Sequence, residues 1–297
     1  MTSDFINGIH LGKWEKMMPQ LDSNSIDLIV TSPPYNVSLG VNNKHKKDAY
    51  AECDDNMPYN EYLEWMEKLF MECNRVLKEG GRLCINIGDG ANGSVPTHVD
   101  FTYKMLHLFD KNQSLERQEL AECDTSPYLP FKMMTTIVWD KSQIGAPTAW
   151  GSWKSPSCPS FPTQFEFIII VAKGTTKHIG DNALITVTGD DFICNSRALW
   201  TFSPETRMMK DYGHPAMFPE ELPRRCIDQL TYKNDIILDP FSGAGTTCTA
   251  AKRMGRQYIG FEMTEEYVTR SIERTDLVPK TVTTEDGCEV PAWMVTQ

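Results

Sequence analysis

The chain has 297 residues, enough for one large α/β domain or two small ones with a substantial buried core. Hydrophobic residues make up 40% and charged residues 23%, ordinary globular proportions that argue against wholesale disorder, and no apolar run approaches the roughly 20 residues that span a bilayer. The formal charge of −11 argues against a broadly basic nucleic-acid coat and leaves room only for a local basic cleft, for which Lys44-His45-Lys46-Lys47, Arg224-Arg225 and Lys252-Arg253 are the dense positive clusters.

In chain order, Met1-Thr2-Ser3-Asp4-Phe5 lacks the basic and apolar regions of a signal peptide, so a cytoplasmic address without membrane contact is expected. Ile26-Asp27-Leu28-Ile29-Val30 reads as a buried strand feeding a proline-stiffened loop. Tyr59, Leu63, Met66, Phe70, Cys73 and Leu77 recur at three- and four-residue intervals, predicting an amphipathic helix that Gly80-Gly81 stops. Residues 82–87 read as the next strand, giving a strand-helix-strand unit suited to a parallel sheet.

A helix is expected over 97–109, a loop over 111–125 and a strand over 134–139. Residues 142–163, rich in proline and serine and carrying Trp150 and Trp153, exclude a long regular element and read as a functional loop. Residues 165–172 form a central-strand pattern, followed by an expected hairpin through Gly189-Asp190-Asp191. The last third repeats the α/β rhythm: helix 219–230, strand 235–238, a glycine-rich turn, a helix through 254 and strand 258–262, with a loosely attached tail after 275. The nine cysteines are scattered without metal-ligand spacing, so reduced thiols, no metal and no cysteine nucleophile are expected, with Cys84 and Cys248 acting as small buried hydrophobes.

Two constellations carry chemistry. In Thr31-Ser32-Pro33-Pro34-Tyr35-Asn36 the consecutive prolines remove two backbone donors and leave carbonyl oxygens as the available main-chain groups. The exocyclic amino group of a base is a poor nucleophile because its lone pair is delocalised. Acceptors on both of its N–H bonds, here Ser32 Oγ and the Pro33 carbonyl, favour the tetrahedral, cationic form reached on attack. Tyr35 offers a face on which an extruded base can stack. Alone, such a loop reads more readily as a stiffened turn after a strand, with Tyr35 a core residue.

The second constellation, Asp239-Pro240-Phe241-Ser242-Gly243-Ala244-Gly245-Thr246-Thr247, lies between a predicted strand and a predicted helix, where glycines admit a ligand to the backbone and the helix start offers free N–H groups. About twenty residues on, Glu262 ends the next strand, where an acid can accept ribose hydroxyls. The full Gly-x-Gly-x-x-Gly fingerprint is absent, which weighs against a nicotinamide enzyme.

Together these loops, with Trp139-Asp140-Lys141, Trp150-Gly151-Ser152, residues 165–173 and His214-Pro215-Ala216-Met217-Phe218-Pro219, resemble the amino-methyltransferases of DNA. Specifically, they resemble the permuted β class, in which the catalytic loop precedes the cofactor loop. The resemblance implies a Rossmann-like α/β fold with a mostly parallel, doubly wound sheet and S-adenosylmethionine as cofactor. It also implies one permuted domain over 1–275, with a catalytic half 1–173, a small recognition insertion 174–213, a cofactor half 214–275 and a tail 276–297. It assigns catalysis to Ser32, Pro33, Pro34 and Tyr35. The cofactor's methionine end falls to the segment holding His214, Pro215 and Phe218, its remainder to Asp239, Pro240, Phe241, Ser242, Gly243, Gly245, Thr246 and Thr247, and the ribose to Glu262.

Family members often carry Gly-Asp where this chain reads Asn7-Gly8-Ile9, so an acidic adenine contact is replaced at best by Asn7. Serine at position 32 resembles the cytosine-N4 enzymes more than the adenine-N6 enzymes, which leaves N6 of adenine as the alternative. An inactive or non-DNA member of the fold is the second alternative. Base flipping, site-specific DNA methylation and a restriction-modification setting follow from the resemblance. A partner nuclease and a monomeric or dimeric state stay open. Lys44, Lys46 and Lys47 and the 142–163 loop are expected to reach DNA.

Overall fold

The computed structural model describes residues 1–36, 57–90, 95–109, 126–141, 151–159, 161, 163–205, 217–276, 282–283 and 289–290. Its eight principal strands are β1 (Gly8–Leu11), β2 (Ile26–Thr31), β3 (Leu77–Ile87), β4 (Phe131–Asp140), β5 (Phe165–Lys173), β6 (Leu199–Thr201), β7 (Ile236–Asp239) and β8 (Gln257–Glu262). The helices are α1 (Trp14–Met17), α2 (Tyr59–Val76), α3 (Thr97–Leu106), α4 (Gly189–Asn195), α5 (Glu221–Leu230), α6 (Thr246–Arg253) and α7 (Glu265–Asp276).

The strands form one sheet in the order β1-β8-β7-β2-β3-β5-β4-β6. Pairings from β1 through β3 are parallel, β5 runs antiparallel to both β3 and β4, and β6 is parallel to β4. β5 is therefore the reversed strand in a mostly parallel sheet. Because strands point alternate residues to opposite faces, Ile29, Leu83, Ile85, Ile169 and Val171 join one apolar layer while Leu28, Val30, Cys84, Ile168 and Ile170 join another. The first layer is built with α2 and α3, through Tyr62, Met66, Phe70, Cys73 and Phe101, and the second with α5 and α6, through Cys226, Ile227, Cys248 and Ala251. Coverage on both faces explains why every residue of β2 is buried.

The C-terminal ends of β1, β2, β3, β4, β7 and β8 and the N-terminal end of the reversed β5 share one edge of the sheet, and that edge carries the site. At the opposite edge Asp27 is held by Lys78 Nζ at 2.7 and 2.8 Å and by the Ile236 N–H at 2.9 Å, and His178 Nε2 lies 2.8 Å from Asp235. Among the described residues no helix is long and apolar enough to cross a membrane.

Several expectations are corrected. Helix α2 ends at Val76 and β3 begins at Leu77, so Gly80-Gly81 lie inside a strand. There Gly80 takes φ +75, and a Cβ would fall 2.2 Å from the Lys177 carbonyl, so the glycine serves a close chain approach and not a helix stop. Gly189-Asp190-Asp191 opens α4 where a hairpin was expected, because Thr188 caps it, its Oγ1 accepting from the Asp191 N–H at 3.1 Å, with both acids in the first turn. Strand β6, in the segment expected as an insertion, extends the main sheet through β4. Helix α7 had no sequence-based expectation, and the tail carries a two-stranded pairing of β9 (Val282–Thr283) with β10 (Glu289–Val290).

Candidate active site at the C-terminal edge of the sheet

The Thr31-to-Asn36 loop leaves β2 and is fastened at each step. The Thr31 hydroxyl donates to Asp239 Oδ1 at 2.7 Å, and the Tyr62 hydroxyl donates to the Pro34 carbonyl at 2.7 Å. Asn36 closes the loop in the left-handed region, φ +56, exchanging two side-chain hydrogen bonds with the Met57 backbone at 2.7 and 2.9 Å. The Pro34 carbonyl is thus engaged, whereas the Pro33 carbonyl accepts no hydrogen bond among the described residues. Ser32 Oγ donates toward Tyr35 Oη at 3.1 Å and the Asn86 carbonyl at 3.2 Å, while Tyr35 Oη donates to Glu166 Oε2 at 2.9 Å.

The glycine-rich loop leaves β7 beside it. Gly243 and Gly245 take φ +50 and +72, and Gly245 caps α6. The Glu262 carboxylate at the end of β8 accepts from the Gly243 N–H at 3.0 Å and the Thr264 N–H at 2.8 Å. Burial raises the Glu262 carboxyl above its ordinary range against the pull of those N–H groups. Asp239 is fully buried, and burial pushes it up to about 6 against the pull of the Thr31 hydroxyl. Gly260 in β8 permits the whole arrangement: a Cβ there would stand 2.7 Å from Ser242 Oγ and 2.8 Å from Cys248 Sγ. Cys84 and Cys248 are both buried, and burial holds their thiols well above the usual range, so neither supplies a thiolate.

One cavity of about 440 Å³ joins the two loops, a volume within the ~300–1,000 Å³ of small-molecule sites. Ser32, Pro33, Pro34 and Tyr35 line it from one side, and Pro240, Phe241, Ser242, Gly243, Thr246 and Glu262 from the other, with Phe218 also on its wall. Asp239, Gly245 and Thr247 stand behind the lining: Asp239 holds Thr31 and the Phe241 N–H, and Thr247 Oγ1 donates to the Val30 carbonyl at 3.3 Å. Lys44, Lys46, Lys47, His214 and Pro215 lie outside the described residues, as do residues 142–150, 160 and 162 of the 142–163 loop. Asn7 is placed away from the cavity. Its backbone and side chain pair with Tyr258 at the start of β8, so the expected adenine contact by Asn7 is withdrawn.

The cavity also contains residues to which no role was assigned from sequence. Gly12, Lys13, Trp14 and Glu15 follow β1 into it, and Glu15 accepts from Trp65 Nε1 at 2.8 Å. Trp65 stands edge-on to Phe241 with ring centroids 5.7 Å apart, making an aromatic wall. Asn86, Lys141 and Glu166 line the other end, brought together by β3, β4 and the reversed β5. Two of these had a legible signal. Glu166 interrupts an apolar strand run and Asn86 sits between Ile85 and Ile87, and polar groups so placed require partners.

This geometry can be set beside known proteins. The type II methyltransferase M.MjaVI of Methanocaldococcus jannaschii is 33% identical over 211 residues, covering 70% of this chain and 93% of its own length. The DNA adenine methyltransferase YhdJ of Escherichia coli K12 is 26% identical over 270 residues, covering 88% and 79%. Among solved structures, the putative DNA modification methylase TTHA0409 of Thermus thermophilus, complexed with S-adenosyl-L-methionine, superposes with TM-score 0.64 at 24% identity over 90% of this chain and 92% of the other. The cytosine-N4-specific PvuII DNA methyltransferase gives TM-score 0.62 at 20% identity over 94% and 88%. Both structural likenesses establish the Rossmann-like methyltransferase fold. The DNA methylase family of N6- and N4-methyltransferases matches residues 26–273, a span that takes in both loops and the strands that carry them, and the chain belongs to that family.

Proposed function

We propose that the protein transfers a methyl group from S-adenosylmethionine to the N4 amino group of a cytosine flipped out of DNA, at a specific site, in a restriction-modification setting. The observation that carries this reading is the shared cavity, in which Ser32 to Tyr35 face the glycine-rich loop and Glu262 across one volume. The lining suits the cofactor. Aromatic rings of Trp14, Trp65, Phe241 and Tyr267 offer faces for an adenine and for a sulfonium cation. Glu262 can accept ribose hydroxyls while keeping its two N–H partners, because each carboxylate oxygen accepts more than one hydrogen bond. When bound, S-adenosylmethionine supplies an electrophilic methyl group on a sulfonium.

The chain's own residues do the rest. Tyr35 gives the base a stacking face. Ser32 Oγ and the Pro33 carbonyl accept from the two amino N–H bonds, and they stabilise the charge that develops on nitrogen more than the neutral ground state. The amino nitrogen would attack the sulfonium methyl in line as the sulfur–methyl bond breaks and a neutral thioether leaves; one N–H proton would then pass to water or through Ser32, with no covalent enzyme intermediate and so no cysteine or metal. Lys44, Lys46 and Lys47 contact phosphates in this reading, so exchanging all three for Gln should weaken duplex binding and flatten its dependence on salt by up to about three counterions.

The second reading, N6 of adenine, draws on the adenine methyltransferase YhdJ among the relatives; the serine at position 32 favours cytosine. Incubating the protein with mixed-sequence DNA and isotope-labelled cofactor, then separating nucleosides by mass, should yield N4-methylcytosine. N6-methyladenine would replace the base assignment, and label absent from DNA despite cofactor binding would point to an inactive or non-DNA member. Ser32→Ala should lower kcat by about 100-fold with cofactor affinity retained.

A further inference from the structure

Glu166 touches neither loop in sequence, yet it ends the hydrogen-bond chain that begins at Ser32. Its Oε2 accepts from Tyr35 Oη at 2.9 Å and from Asn86 Nδ2 at 2.7 Å, and its Oε1 is paired with Lys141 Nζ, which itself stands 4.9 Å over the Trp139 ring. Asn86 Nδ2 also donates to Tyr35 Oη at 2.7 Å. An ionised carboxylate only accepts, so the phenolic proton of Tyr35 must point at Glu166. Tyr35 Oη is then an acceptor toward Ser32, and the Ser32 proton is drawn to Tyr35 or to the Asn86 carbonyl, the two acceptors within 3.2 Å. The lone pairs of Ser32 Oγ are left for an incoming N–H donor.

We propose that Glu166, held by Lys141, is a positioning residue that sets the direction of the Ser32 and Tyr35 hydroxyl protons, so that the catalytic loop meets the target amino group as an acceptor only. The assignment rests on the amino-methyltransferase reading. It gives a role to the carboxylate near the start of a mostly apolar strand: the strand's reversal delivers its second residue to the catalytic edge, opposite Trp139 in the β4 register. In Glu166→Gln the amide oxygen stays with Lys141 and the amide nitrogen faces Tyr35 as a donor. The phenolic proton then turns to Ser32, where it occupies a lone pair of Oγ that the wild type leaves for the substrate, while the Ser32 proton keeps only the Asn86 carbonyl as an acceptor.

The test is a kinetic cycle of Glu166→Gln, Tyr35→Phe and the double variant, in single-turnover methyl transfer to DNA, with cofactor and DNA affinities measured separately. Each single variant should lose at least about tenfold in the transfer rate with affinities within about twofold, and the double variant should lose no more than the worse single, since both act through one hydroxyl. Wild-type rates in Glu166→Gln, losses confined to affinity, or losses that multiply in the double variant would overturn the assignment.

A second readout does not need activity. With 3-fluorotyrosine incorporated and the position 35 resonance assigned by its loss in Tyr35→Phe, the fluorine signal should shift in Glu166→Gln. An unmoved signal in the folded variant would overturn the assignment even where the wild type methylates DNA. A shifted signal in a protein that methylates no DNA would leave the hydrogen-bond assignment standing and remove the functional reading instead.

Discussion

The Thr31 hydroxyl donates to Asp239 Oδ1 at 2.7 Å across a sequence separation of 208 residues, and this bond fastens the Thr31-to-Asn36 loop to the glycine-rich loop at their roots. Both residues are buried, so the bond is shielded from water, and Thr31→Val leaves a buried carboxylate short of one donor. Urea denaturation near neutral pH should show a loss of about 1–3 kcal/mol for this variant.

Asp239 has a pH signature of its own. Its carboxyl is raised from 3.8 to about 6 in the folded chain, chiefly by burial. The proton is therefore held by the folded state and lost by the unfolded state between those values. The stabilisation is full below about pH 3.8 and is lost as pH rises through about 6. Asp239→Asn does not titrate, so the stability of wild type relative to that variant should decline from pH 4 to pH 7, by up to about 3 kcal/mol at 1.36 kcal/mol per pH unit. A flat difference across that window would remove the account of Asp239.

Gly260→Ala should act on the glycine-rich side of the cavity, the proposed cofactor pocket, and spare the Thr31-to-Asn36 loop. The added methyl meets Ser242 Oγ and Cys248 Sγ inside 3 Å and Ser242 Cβ at 3.1 Å, so Ser242 in the cavity wall must give way. Cofactor affinity, followed by quenching of Trp14 and Trp65 fluorescence, should fall at least tenfold.

Tyr62→Phe should act on the Thr31-to-Asn36 loop, the proposed catalytic element, and spare the glycine-rich side of the cavity. The phenol is buried in α2 and its bond to the Pro34 carbonyl steadies the loop from behind. A rate of methyl transfer lowered by about tenfold, with cofactor affinity unchanged, is the expected outcome in single-turnover kinetics.

Local signals made much of this architecture readable before any coordinates. The run ending at Val30 followed by Ser-Pro-Pro marks a buried strand and a stiff loop by itself, and glycines between Asp239 and Thr246 mark a turn that admits a ligand. Thr188 and the acids after it are equally a helix start, but three consecutive turn-forming residues imitate a hairpin tip, and the cap bond alone separates the two. Gly80 was misread for a related reason: what it avoids is the Lys177 carbonyl, a contact made only in three dimensions. The polar end of the site was the least legible part. Glu166, Asn86 and Lys141 come from three strands, and their meeting depends on the antiparallel direction of β5, which no local pattern encodes.

Strand β1 lies at the outer edge of the sheet, and among the described residues its ladder is with β8 alone, Gly8 against Ile259 through Leu11 against Glu262. Among the described strands of this sheet β1 is first in sequence and β8 last, so β1 has no neighbour until the whole intervening chain is in place. The residues that follow it, Gly12 to Glu15, join the cavity wall only then. So remote a pairing carries a large loop-closure cost and makes this edge a late step of folding. A chain cut before β8 would lack Ile259 and Phe261 of the apolar layer behind α2 and α3 as well as Phe261 and Glu262 of the cavity wall, so core and cavity are completed by the same strand.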